Sequence, residues 1–376
     1  MDNGVLCVSP NGADFSCDRT PASRLAVGTI DGVLLLERAG TTWSLSDHTL
    51  RGVHVGSLLQ EESSGILFAG AHSGGLYASL DAGRTWEPRL EGLAHPHVYT
   101  LACQPHASSP ILYAGTEPAH LYASVDLGRR WVELRGLREV PGAERWTFPA
   151  PPHHGHVKQV TFHPTDTRTL FVCIEQGALL RSHDSGGTWT EIESFHAPGR
   201  HRYYKDVHRL RISPTDPSRM YLTGGDGCFR TDDAGQSWHQ MMDGTPSIGY
   251  PDDIHLDPRD PSRILVAGAA VDPASWPEAQ SANASVLCSS DGGRRWERLG
   301  TGLPDPMHGH IAAMTMHAYG DTFELFIGTT DGELFASYDS GMQWELIGDG
   351  YAPVAKANHY IRLPKRSGSS PASRLS

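Results

Sequence analysis

One pattern constrains this chain more than any other. Ser79-Leu80-Asp81-Ala82-Gly83-Arg84-Thr85-Trp86 obeys Ser/Thr-x-Asp-x-Gly-x-x-Trp, and the pattern returns at Ser124 to Trp131, Ser182 to Trp189, Thr231 to Trp238, Ser289 to Trp296 and Ser337 to Trp344. A seventh copy, Ala39-Gly40-Thr41-Thr42-Trp43, keeps the glycine and the tryptophan but not the aspartate. These copies take up seven of the nine tryptophans and leave Trp146 and Trp276 unexplained. Each copy reads as a turn: Asp and Gly permit a tight backbone, the Ser/Thr and Asp side chains bond local N–H groups, and the indole covers the result. A unit of this length cannot bury its own apolar face, so neighbouring units must stack.

Around each turn the chain reads as four short strands, for example His54–Gln60, Ile66–Ala71, Gly75–Ser79 and Trp86–Leu90. Four-stranded sheets repeated radially make a propeller and leave few open edges. Seven turns therefore predict an all-β, seven-bladed β-propeller over residues 21–364. The turn resembles the Asp box of the BNR-repeat, sialidase-like propellers. For the first blade, Arg24–Thr29, Val33–Glu37 and Trp43–Leu45 supply the second, third and outer strands. Two segments compete for its inner strand. The C-terminal His359–Leu363 would close the ring by joining the chain ends, and is the expectation; the N-terminal Val5–Ser9 is the competitor. Residues 1–20 then form an extension packed on the propeller, and residues 365–376, rich in Ser and Pro, a disordered tail.

Composition excludes some functions. A net charge of −12 argues against a surface that tracks phosphates, hence against nucleic acid. The start of the chain lacks the basic and apolar pattern of a secretory signal, no stretch approaches membrane-spanning length, and the six cysteines show no CxxC spacing. The expectation is a cytoplasmic protein with no membrane partner.

Histidine is the compositional outlier, with 21 copies. One opens each inner strand: His54, His97, His156, His208, His255, His310 and His359. Placed in register at the channel mouth, seven imidazoles would make a metal site, since neutral imidazole is a common ligand and a ring of protonated ones would repel itself. Two or three copper ions are the expected cofactor, with iron or zinc as alternatives. His95, His154, His308, His72, His120, Asp206 and Asp253 would add ligands or orient rings. Tyr203, Tyr204, Tyr250 and Trp146, in long loops, would wall a small-molecule substrate, and no catalytic residue is assigned.

The arrangement resembles, in architecture alone, the copper propellers nitrous oxide reductase and thiocyanate dehydrogenase, and it is similar to the iron-holding carotenoid cleavage oxygenases. The resemblance implies a metal-dependent oxidoreductase acting on a small molecule, with an electron partner or oxygen. A zinc-type hydrolase or lyase on the same histidines is the second expectation, and a non-catalytic scaffold or assembly factor the third. Sialidases need an arginine triad, and Arg209, Arg211 and Arg362 fall on two blades only.

Overall fold

The computed structural model describes residues 4–105, 109–195, 205–242, 248–356 and 363. It is a seven-bladed β-propeller: six four-stranded sheets and one of five strands. The inner strands of blades two to seven are Val55–Gln60, Val98–Cys103, His156–Phe162, Val207–Ile212, Tyr250–Leu256 and Ile311–Tyr319. Outer strands are short, often two residues such as Glu87–Pro88, and lie exposed at the rim.

The repeated turn forms as its chemistry requires. Ser79 Oγ donates to Asp81 Oδ1 at 2.8 Å and accepts from Gly83 N at 2.7 Å, while Asp81 Oδ1 accepts from Thr85 N at 2.8 Å. The same bonds recur at Ser124, Ser182 and Thr231. Gly83 sits at φ 93°, a left-handed conformation that only glycine adopts without strain. The indoles pack between blades: Trp131 of blade three is buried with Phe68, Leu76 and Ala78 of blade two and donates to Arg89 O at 3.1 Å.

Ring closure differs from the expectation. The inner place of blade one is held by Leu6–Val8, which pairs parallel with Arg24–Thr29. The N-terminal segment thus supplies the strand assigned to 359–363, and His359 lies outside the described residues. Leu363 packs instead with Tyr250 and Trp276 of blade six. The C-terminal segment still bridges the seam, since Val354 N donates to Thr329 O of blade seven and Ile30 N of blade one donates to Pro353 O. A second N-terminal strand, Phe15–Asp18, adds parallel to the inner strand of blade seven.

Between these two strands the chain crosses the central channel and plugs it. Asn11 and Ala13 donate to Gly56 and Leu58 of blade two, Leu101 of blade three donates to Asn11, and Met316 of blade seven donates to Asp14. Arg209 of blade five donates to Pro10 O. Gly12 is required here, because a Cβ would lie 2.0 Å from Leu58 O.

Candidate active site at the propeller mouth

Six inner strands carry a β-bulge at one shared place, between Val55 and Ser57, Val98 and Thr100, Val157 and Gln159, Val207 and Arg209, Pro251 and Asp253, and Ile311 and Ala313. Bulges re-aim a side chain, and here they give an alignment of the blades that owes nothing to the histidines. The inserted residues are Gly56, Tyr99, Lys158, His208, Asp252 and Ala312. His54, His97, His156 and His310 each stand two residues before the bulge, but in blades five and six that place belongs to Asp206 and Tyr250. His208 is itself a bulge residue, and His255 lies three residues past its bulge. The six described histidines therefore do not share a register, and their rings do not converge on one metal centre.

What converges instead is a buried network of unlike charges. Glu175 Oε2 lies 2.9 Å from His156 Nε2 and 3.4 Å from Lys158 Nζ, and its Oε1 lies 3.9 Å from His208 Nε2. Asp252 lies 3.5 Å from Lys158 and 3.3 Å from His310, and pairs with Lys356. His208 Nδ1 sits 2.7 Å from Pro251 O, a pure acceptor, while its Nε2 faces Asp206 Oδ1 at 3.2 Å. Both ring nitrogens thus carry protons. Lys158 has no solvent exposure, Glu175 and Asp252 are buried, and Asp206 is half-buried.

The proton affinities follow from this geometry. Burial pulls the Lys158 ammonium down to about 8, against the attraction of Asp252 and Glu175. Burial would raise Glu175 and Asp252, but Lys158 and Lys356 outweigh it and hold both carboxyls well below the usual range. Burial also opposes the charge on His208, yet Asp206 raises it, whereas burial prevails at His310 and lowers it. These groups do not fit the expected copper centre. Among the described residues Glu175, Asp206 and His208 are the one group of three whose ligand atoms all lie within 4.8 Å of one another. There a cation would meet the ammonium groups of Lys158 and Lys356, at 3.4 and 4.0 Å from Glu175.

The remaining candidates divide between the mouth and its surroundings. His72 Nε2 bonds Glu117 Oε2 at 3.0 Å, and Glu117 Oε2 in turn lies 3.9 Å from His156 Nδ1. A cavity of about 810 Å3 opens over this pair, lined by His72, His95, His97, Glu117 and His154 with Pro96 and Pro152. His54 Nε2 donates to Ala355 O, 2.9 Å away, with its ring 5.9 Å from that of His72. His120 bonds Glu133 and stacks on His95, and His308 bonds Asp331. Asp253 does not orient a histidine; it pairs with Arg209 at 2.9 Å, and burial raises it to about 6. Tyr250 is buried against His208, Trp146 is half-buried and packs on the cluster between blades three and four, and Tyr203 and Tyr204 lie outside the described residues. Trp276, from the blade-six insertion, covers His310 with ring centres 5.0 Å apart.

Sequence reasoning missed Lys158 and Lys356. The signal for Lys158 was available, since a lysine inside His156–Phe162, an otherwise apolar inner strand, demands a buried partner. Lys356 gave none: it reaches the network only because the C-terminal segment crosses the seam.

His255 supplies a separate test. It faces the plug, where Nε2 bonds Met314 O at 3.0 Å beside Asp14 and Arg211, and burial pulls it down to about 4. An unfolded histidine titrates near 6.5, so the unfolded chain binds the extra proton between about 6.5 and 4. The stability contribution is full above pH 6.5 and is lost as pH falls towards 4, on the order of 3 kcal/mol. Denaturant unfolding across this window should show a His255→Gln variant with a shallower pH slope than the parent; equal slopes would refute the assignment.

The comparisons with known proteins bear on what this mouth does. The family model described as "Sortilin, neurotensin receptor 3" matches residues 177–310, well under half of the chain. The xyloglucanase Xgh74A of Acetivibrio thermocellus is 26% identical over 224 residues, 50% of this chain and 25% of the enzyme. A vacuolar protein sorting/targeting protein 10 of Colletotrichum graminicola is 31% identical over 103 residues, 27% of this chain and 6% of that protein. The crystal structure of an ancestral GH74 enzyme superposes with a TM-score of 0.58 at 15% identity, covering 76% of this chain and 37% of the other. The chain thus spans about a quarter or less of the length of the curated relatives it matches. These relatives overturn the expectation of a copper oxidoreductase. They are named as a xyloglucanase and a vacuolar sorting/targeting protein, and the GH74 enzyme structure shares the propeller fold with this chain.

Proposed function

We propose that the chain is a hydrolase of polar, glycan-like substrates, with the mouth network as its working centre. The observation that carries this reading is a continuous path of proton-exchanging groups from the cavity wall to a buried lysine. It runs His72, Glu117, His156, Glu175, Lys158, with successive separations of 3.0, 3.9, 2.9 and 3.4 Å. His72 and Glu117 both line the cavity and share a hydrogen bond, which sets an acid–base pair at its wall. Lys158, with its affinity lowered to about 8, is a group along that path able to hold or release a proton near neutrality. The similarity to a xyloglucanase supports a glycan, and the reading of the repeat as an Asp box is supported by the recurring Ser–Asp–Gly bonds.

Turnover of xyloglucan oligosaccharides and aryl glycosides tests it. Glu117→Gln and Lys158→Met should each lower kcat by about 10²–10⁴-fold in folded protein. No turnover by the parent chain, or variants as active as the parent, would sink the reading. A second reading is recognition without turnover. The sortilin-type match covers His208, Asp252 and the Trp276 insertion, all residues of the mouth. Saturable binding of the same oligosaccharides or of peptides with no product formed would identify it.

A further inference from the structure

At the opposite end of blade seven from the mouth lies a second arrangement of reactive groups. Phe15–Asp18 pairs parallel with Ile311–Tyr319, and the register sets Ser16 directly against His317. Ser16 Oγ lies 2.7 Å from His317 Nδ1. The other ring nitrogen, Nε2, lies 2.9 Å from Thr20 O. A backbone carbonyl can only accept, so Nε2 carries the proton and, in the neutral ring, Nδ1 is left with its lone pair. That lone pair faces the serine hydroxyl. The tautomer is thus fixed by the backbone in the sense needed for a base acting on Ser16.

Nucleophile, base and orienting group are the parts that make a serine reactive, and the two distances fall within hydrogen-bond reach. A cavity of about 640 Å3 opens on the pair, lined by Ser16, His317, Cys17, Arg19 and Arg24. Ser16 is half-buried and so reachable, while His317 is buried and held. Charges of both signs stand on that wall, Arg19 and Arg24 with Asp18 and Glu62. A serine that served only to join two strands would need neither the cavity nor the carbonyl-fixed ring.

We propose that Ser16 and His317 form a nucleophilic dyad that accepts acyl groups from small esters, independent of the mouth. As Ser16 Oγ bonds to the ester's carbonyl carbon, its proton passes to His317 Nδ1. The bond from that carbon to the alkoxy oxygen then breaks, and His317 returns the proton to the departing alcohol. Water repeats the sequence to release the acid and restore the serine.

The full chain is treated with a reporter-tagged alkyl fluorophosphonate, which forms an Oγ–P bond to an activated serine and expels fluoride. Peptide mass spectrometry locates the adduct, and p-nitrophenyl acetate provides a second readout. The expected result is one adduct, on the peptide carrying Ser16, that is absent from Ser16→Ala. His317→Gln should form it at least tenfold more slowly, whereas Lys158→Met should form it at the parent rate. Ser16→Ala removes one partly exposed hydroxyl and guards against a His317 variant that fails to fold. No adduct on Ser16 while a control serine hydrolase labels fully, or an equal p-nitrophenyl acetate rate in parent and Ser16→Ala, would overturn the proposal.

Discussion

Arg209→Met is expected to lower the unfolding free energy by about 3–5 kcal/mol. Arg209 is 2% exposed, its Nε bonds Asp253 Oδ1 at 2.9 Å, and its guanidinium also donates to Pro10 O in the channel plug. Methionine fills the volume but leaves Asp253 without its cation in a site where burial already raises that carboxyl to about 6. Removing one partner of a buried pair costs more than the pair contributes, because the remaining charge is stranded. Arg209→Met/Asp253→Asn should recover part of the loss, the sign of coupled neighbours. Amide exchange should quicken across residues 10–14, where the plug loses an anchor. A single-variant loss below about 1 kcal/mol in urea unfolding would show that the pair does not hold the channel.

Trp131→Ala should cost about 3–5 kcal/mol, the range for a buried aromatic replaced by a methyl group. Its indole stands between blades two and three, among Phe68, Tyr122, Leu101 and Leu112, and its main chain receives Gly92 so closely that a Cβ there would lie 2.1 Å from Trp131 O. The walls come from two sheets and cannot close on the void without shifting a blade. Trp131→Phe keeps most of the volume and should cost less than half as much. A change in midpoint with an unchanged urea slope would place the effect in the folded state; a Trp131→Ala protein as stable as Trp131→Phe would refute the packing argument.

The blades were legible because a turn is local chemistry. Ser79, Asp81 and Gly83 bond one another within four residues, so spacing alone reveals them and counts the sheets. The site was legible only in outline. His156, His208 and His310 do reach the mouth and Asp206 does face His208, but a search by residue type slid blade five by two residues and blade six by five. Nothing local marks a bulge. It is a mismatch between two strands, so Lys158 and Asp252 become equivalents of His208 only once Leu170–Glu175 and Ile264–Ala269 are in place beside them.

The chain by itself determined a seven-fold repeat of four-stranded sheets, because each turn and each alternation of apolar residues is written within one repeat. Tertiary structure decided how the ring closes and what its mouth contains. Leu6–Val8 takes the inner place in blade one, residues 10–14 plug the channel, and Lys356 reaches Asp252 from the far end of the chain. Such contacts join residues that different repeats supply or that lie outside the repeats altogether. The partner that makes a buried lysine or carboxylate tolerable is set by the closed ring, and no spacing along the chain encodes it.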